Sequence, residues 1–90
     1  MKLTDKITVS SEVVARGVGK DLVLLHLESG TYFGLDPVGA RVWELIGEDK
    51  TLAEIYEVLL KEYDVPREDL ERDTINLLED LLAQDLITPS

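Results

Sequence analysis

Asp21-Leu22-Val23-Leu24-Leu25-His26-Leu27-Glu28-Ser29-Gly30-Thr31-Tyr32-Phe33-Gly34-Leu35-Asp36-Pro37 is the stretch on which the fold turns. Asp21 to Leu27 is apolar at nearly every position and reads as a central strand covered on both faces. Glu28-Ser29-Gly30 is a short connection whose glycine can take a positive φ. Thr31 to Leu35 returns as an aromatic-rich strand, which makes the pair a hairpin. Asp36 is then a natural N-cap, and Pro37 suits a first helical position, where its missing N–H has no partner to lose. Strand alternation puts Tyr32 and Gly34 on one face and Thr31, Phe33 and Leu35 on the other. Which face meets the helices is open at this point.

Upstream, Ile7-Thr8-Val9 and Val13-Val14-Ala15 are short β-branched runs interrupted by Ser10-Ser11-Glu12, consistent with one or two strands and a kink. Gly17-Val18-Gly19-Lys20-Asp21 reads as a turn. Downstream, Val38, Val42, Trp43, Leu45 and Ile46 line one side of a helix expected to end at Gly47. Thr51-x-x-Glu54 is a capping box opening a second helix with Leu52, Ile55, Tyr56, Leu59 and Tyr63 along its face. Asp64-Val65-Pro66 breaks it. A third helix is expected from Arg67 to Ala83, followed by Leu86-Ile87-Thr88 as a short extended tail. Strands first and helices after argue for one α+β domain of winged helix-turn-helix type spanning residues 1–90.

The third helix carries two apolar rows: Leu70, Thr74, Leu77 and Leu81, and beside them Ile75, Leu78 and Leu82. Their combined arc exceeds the usual ~100° stripe of a core-facing helix. Either both rows serve the core of a small domain, or part of this surface lines a groove beside the strands.

Composition removes several function classes. There is no cysteine, which excludes a disulfide framework, a cysteine-held metal and thiol chemistry. Apolar runs such as Leu22 to Leu25 are far shorter than the ~20 residues of a membrane span, and the opening Met1 to Lys6 lacks the apolar core of a signal peptide. A cytoplasmic location is the expectation. The net charge is −10, and it is lopsided: residues 51–90 hold three basic and eleven acidic groups. The third helix region, Arg67 to Asp85, has Arg67 and Arg72 against Glu68, Asp69, Glu71, Asp73, Glu79, Asp80 and Asp85, the wrong sign for a phosphate-lined groove.

Catalysis finds no reacting set. The single histidine, His26, sits in an apolar strand and reads as a structural residue; no second histidine accompanies it. Asp69 and Asp73 share a helical face and read as solvated rather than as an acid–base pair. No Ser-His-Asp set forms around Ser10-Ser11, and the glycines make no phosphate loop. No cofactor is implied, and the inventory is that of a binding module.

The run from Leu27 to Ile46, L-x-x-G-T-Y-F-G-L-D-x-x-G-A-R-V-W-E-L-I, resembles the PqqD-like proteins, the leader-peptide recognition elements of ribosomally made and post-translationally modified peptides. The likeness continues through Thr51 to Leu59, Tyr63 to Val65, Asp73 to Leu82 and Leu86-Ile87. Its most specific part is Gly30-x-Tyr32-x-x-Leu35-Asp36 followed by Trp43, and its wording is closest to the stand-alone recognition proteins of lasso-peptide pathways. Asp85 departs from the glycine common at that position in the family.

The resemblance implies a three-stranded sheet with three helices, and a leader segment added as a further antiparallel strand on the strand Thr31–Leu35 against the third helix. An open edge gives affinity through its backbone, while pockets give specificity. The edge candidates are Gly30, Thr31, Tyr32, Phe33, Gly34 and Leu35. Thr74, Ile75, Leu77, Leu78 and Leu81 are candidates for the helix wall. Asp69, Asp73, Glu79 and Asp80 would attract a basic leader bearing aromatic and Leu or Pro anchors. The implied partners are that leader, a leader peptidase and a cyclase, with no nucleic acid and no membrane. The alternative reading is a winged-helix interaction or regulatory domain docking a protein through its acidic third helix.

Overall fold

The computed structural model describes residues 1–90. In chain order the elements are β1 (Ile7–Val9), β2 (Val13–Val18), β3 (Asp21–His26), β4 (Tyr32–Leu35), α1 (Pro37–Ile46), α2 (Leu52–Glu62), α3 (Arg67–Ala83) and β5 (Ile87–Pro89). An antiparallel sheet in the order β2-β3-β4 precedes the three helices, as the α+β reading requires. β1 lies outside this sheet. It pairs antiparallel with β5, Thr8 opposite Thr88, so the tail expected merely to be extended is a strand that ties the two ends of the chain together.

The turns follow from backbone freedom. β2 runs straight through Gly17, and the connection to β3 is the two-residue Gly19-Lys20, with Gly19 at φ 63. A glycine at the first position of a two-residue hairpin loop is the type II′ solution. Gly30, at φ 72, supplies the left-handed residue of the β3–β4 connection. There His26 is 7% exposed, and its Nδ1 accepts the Ser29 N–H at 3.4 Å.

The open question of strand faces has a definite answer. Leu24 and Leu35 are buried and Phe33 is half-buried against the helices, whereas Tyr32 is exposed on the far side. This also corrects the reading of β3 as covered on both faces. Its inner residues Leu24 and His26 are buried, but Val23 and Leu25 on the outer face are only half-buried, because no helix crosses that side.

Each helix begins as its local sequence dictates. The Asp36 carboxylate accepts the Gly39 N–H at 2.8 Å. A Cβ at Gly39 would lie 3.2 Å from the Leu35 side chain and 3.3 Å from the Asp36 carboxylate, so this glycine lets α1 turn tightly off β4. Thr51 and Glu54 form the reciprocal capping box of α2. The remaining first-turn donors, Leu52 and Ala53, reach the carbonyls of Asp5 and Leu3 at 2.9 and 3.0 Å. That pins the N-terminal segment to α2.

Two helix ends depart from the glycine rule. Gly47, expected to stop α1, keeps a right-handed φ of −67, and the left-handed residue is Asp49 at φ 60. At the end of α3 the Leu86 N–H bonds the Leu81 carbonyl and the Asp85 N–H bonds that of Leu82, both at 3.0 Å, while Asp85 sits at φ 58. That is the Schellman pattern with aspartate where glycine is easiest. Around these ends, fifteen buried side chains drawn from β1, β3, β4, β5, the three helices and Leu86 form one core.

Replacing Asp85 by glycine relieves the left-handed strain and should raise stability by about 1 kcal/mol, read by urea unfolding. Thr51→Ala removes the cap acceptor and should lower stability by about 1 kcal/mol in the same assay. The Thr51 backbone and side-chain hydrogen bonds hold the Glu54 carboxylate below its usual range. Its contribution is therefore present above the ordinary glutamate range and fades as pH falls through the lowered folded value. Glu54→Gln should flatten the acid limb of a stability–pH curve.

Candidate functional site

Beside β4 lies an open groove of about 780 Å³. One wall is β4 itself, through Phe33, Gly34 and Leu35, continuing into Asp36. The floor comes from α1, through Val38, Gly39 and Val42, and the opposite wall from Tyr63, Val65 and the first half of α3. Val38 and Val65 are each 44% exposed, so apolar surface reaches the mouth.

The β4 wall carries unsatisfied backbone groups. β4 pairs with β3 alone, and its other edge has no neighbour. The His26 N–H donates to the Thr31 carbonyl at 2.9 Å, and the register sets Leu24 opposite Phe33 and Leu22 opposite Leu35. Antiparallel ladders alternate, so Thr31, Phe33 and Leu35 bond inward while the N–H and C=O of Tyr32 and Gly34 point out of the sheet. A Cβ at Gly34 would project from the outer face beside Tyr32 and meet nothing within 4 Å.

The sequence candidates divide. Phe33, Gly34, Leu35, Asp69, Asp73, Thr74 and Leu77 line the groove together. Gly30 and Thr31 sit in the hairpin connection ahead of β4, away from the groove, and Tyr32 projects from the other face of the sheet. Leu78 and Leu81 are fully buried at 0% exposure and belong to the core, which corrects their assignment to the wall. Ile75 packs against the core from a half-buried position outside the groove. The rotation of α3 decides this: the row beginning Leu70, Thr74 and Leu77 turns toward the groove, and the helix has already passed it by Leu81.

The groove also includes Val38, Val42, Tyr63, Val65 and Arg72, none of them singled out as binding residues by the sequence. Val42 and Tyr63 to Val65 did stand out as part of the family wording, the available signal.

Charge at the rim is partly compensated. Arg72 lies 3.3 Å from Asp69 and 3.5 Å from Asp73, on exposed surface. Glu79 and Asp80, farther along α3, stay outside the groove. Elsewhere the charges brace the scaffold. Arg41 bonds both carboxylate oxygens of Glu62, at 2.8 and 2.6 Å, joining α1 to α2. That bond raises the Arg41 pKa and holds Glu62 below the usual glutamate range. Arg67 reaches Glu57 and Glu71, each at 3.0 Å, joining α2 to α3, and both contacts raise its pKa. Burial pushes the Tyr56 phenol upward. No three histidine or carboxylate side chains converge on a metal-sized site, and no helix is long and apolar enough to cross a membrane.

Comparison with known proteins fits this geometry. A search of curated proteins returns no match. Among solved structures, TbiB1 in complex with the TbiA(beta) leader peptide is 42% identical, with a TM-score of 0.83 over 89% of this chain and 93% of that one. Lasso peptide synthetase B1 complexed with the leader peptide is 26% identical, with a TM-score of 0.83 over 93% of this chain and 99% of that one. Residues 21–87 match the family described as coenzyme PQQ synthesis protein D (PqqD). From the β3–β4 hairpin to β5, the elements that build the groove all lie within that match, and the chain belongs to the PqqD family.

Proposed function

We propose that this chain is a non-catalytic recognition element for the leader segment of a ribosomally made precursor peptide, of the lasso-peptide kind. The leader adds as an antiparallel strand to β4 and lays alternate side chains into the groove against α3. One observation carries the reading: the free N–H and C=O groups of Tyr32 and Gly34 stand directly beside an apolar groove of about 780 Å³. The edge supplies backbone hydrogen bonds to an extended peptide of any sequence, and the groove selects side chains. Two similar structures being complexes with leader peptides supports the choice of ligand.

The protein does no chemistry in this scheme. It holds the leader and thereby raises the local concentration of the attached core peptide at the processing enzymes, a leader peptidase and a cyclase. Apolar anchors of the leader, aromatic and Leu or Pro, enter between Val42 and Thr74 and against Leu77. The acidic rim favours a basic residue flanking those anchors, with Asp73 the more exposed of the two aspartates.

Three measurements test the reading. A fluorescent synthetic leader from the neighbouring precursor gene should bind saturably, and Leu77→Asp should weaken it by about tenfold or more with the circular dichroism unchanged. Leu77 is the informative position, because Leu78→Asp would place a charge in the core and unfold the protein. Leaders N-methylated at residues that face β4 should lose binding, while those methylated at the alternating positions should keep it. Equal loss at both sets would rule out strand addition. Asp73→Asn should weaken binding by roughly twofold to fivefold at low salt, with little difference at 0.5 M NaCl.

A further inference from the structure

β4 is not the only open edge of the sheet. The order β2-β3-β4 leaves the outward side of β2 without a neighbour, and β2 is the longer of the two edge strands, six residues against four. Its pairing with β3 runs unbroken from Val13 opposite His26 to Val18 opposite Asp21. Edge strands are ordinarily guarded by a proline, a lysine or a bulge. β2, Val-Val-Ala-Arg-Gly-Val, has none of these, and all of it beyond Val13 is exposed.

The register decides which backbone groups are free. Val18 and Asp21 close the two-residue loop, and the Leu27 N–H donates to the Glu12 carbonyl at 2.8 Å. The ladder to β3 therefore uses Glu12, Val14, Arg16 and Val18, and the outward groups belong to Val13, Ala15 and Gly17. The Val13 N–H turns back to the Ser10 carbonyl at 3.3 Å, so the free donors are those of Ala15 and Gly17. The helix side of this edge is bare: a Cβ at Gly17 would meet nothing within 4 Å. On the opposite side Val14, Arg16 and Val18 project, and the same alternation adds Glu12. Neither charge is used within the chain. Arg41, Arg67 and Arg72 all pair with carboxylates, whereas Arg16 is the only arginine without an ion pair and Glu12 has no cationic partner.

We propose that β2 is a self-pairing edge that joins two copies of this chain, antiparallel, about a two-fold axis at Ala15. Each Ala15 N–H then meets the Ala15 carbonyl of the other copy, and each Gly17 N–H meets the other's Val13 carbonyl, which satisfies every free donor of the edge. Charge selects both the occupant and the register. In this pairing Arg16 stands opposite Val14 of the second copy and diagonal to its Glu12, within reach of long side chains. The strand is thus its own complement, and the Glu12–Arg16 contact is made twice. The neighbouring register, Ala15 opposite Gly17, would set the two Arg16 side chains against each other. The product is a six-stranded sheet in the order β4-β3-β2-β2-β3-β4, with both β4 edges and both grooves free at its far ends, so the pairing is independent of leader binding. A net charge of −10 on each copy opposes association, and the dimer therefore forms at raised concentration and moderate salt.

Sedimentation equilibrium of the full chain is the test. The weight-average mass should climb from 10.1 kDa toward twice that value as the concentration rises from about 1 µM to about 500 µM. Arg16→Glu and Glu12→Arg, both exposed and both outside the groove, should each weaken dimerisation about fivefold or more with the circular dichroism unchanged. Mixing the two variants should restore the dimer, because every glutamate then faces an arginine, and a variant that merely misfolds would not recover in this way. The double exchange Glu12→Arg/Arg16→Glu should also restore it, which the Ala15–Gly17 register would not allow. On oxidation Ala15→Cys should cross-link two chains and Val18→Cys should not, since only the first lies on the two-fold axis. Excess leader should leave the dimer intact. A mass that stays at 10.1 kDa throughout overturns the proposal, as does a dimer that the charge variants leave unchanged, or one that leader dissolves, which would put the contact on β4.

Discussion

The structure depends on the tight exit from β4 into α1. Leu35 is buried, Asp36 caps the helix, and Gly39 approaches the Leu35 side chain closely enough that a Cβ would sit 3.2 Å from it. Because the chain leaves the sheet there instead of returning as another strand, β4 remains an edge. Because α1 is held hard against the end of β4, its Val38 and Val42 become the floor beside that edge. α3 then needs only to pack across α1 to close the opposite wall. Free edge, floor and wall thus share one local cause, the Asp36–Gly39 junction, whose chemistry is a cap, a proline and a missing Cβ.

What could be read from the residues follows how local each cause is. The β3–β4 hairpin, the Asp36-Pro37 start, the Thr51–Glu54 box and the span Arg67 to Ala83 all rest on interactions within a few residues, and each appears in the structure. The pairing of β1 with β5 joins residues at opposite ends of the chain, and nothing in either segment announces it. The rotation of α3 is likewise a tertiary property. Two apolar rows on one helix present the same pattern whichever way the helix is turned, so the sequence could not separate Leu77, in the groove, from Leu78, in the core. Tyr63 and Val65 join the site only because the α2–α3 connection passes along the groove on the side opposite β4. The α1 stop shows a different limit: Gly47 is right-handed and Asp49 carries the left-handed turn, since a short polar side chain tolerates that conformation.

The acidity of the chain is less of a binding device than a count of carboxylates implies. Most of the basic groups already sit beside carboxylates, and these exposed, solvent-screened pairs are each worth little for stability. What they do is set local sign. Arg72 lowers the negative charge at the groove rim. Arg16, alone among the arginines, keeps its charge unopposed on the other face of the sheet.

β4 is where these two faces meet. Its period-two geometry gives Phe33 and Leu35 to the helices, Tyr32 to the outer surface, and the outward backbone groups of Tyr32 and Gly34 to the edge. One strand of four residues therefore contributes to core, groove and outer face at once. An apolar strand such as β3 is stable with a single cover only while its outer side chains are part-shielded by neighbours, and β2 and β4 provide that shielding incompletely. Any strand that joins the open edge extends the shield on the outer side as it fills the groove on the inner side. Occupying the edge and enlarging the outer surface are then a single event in the sheet.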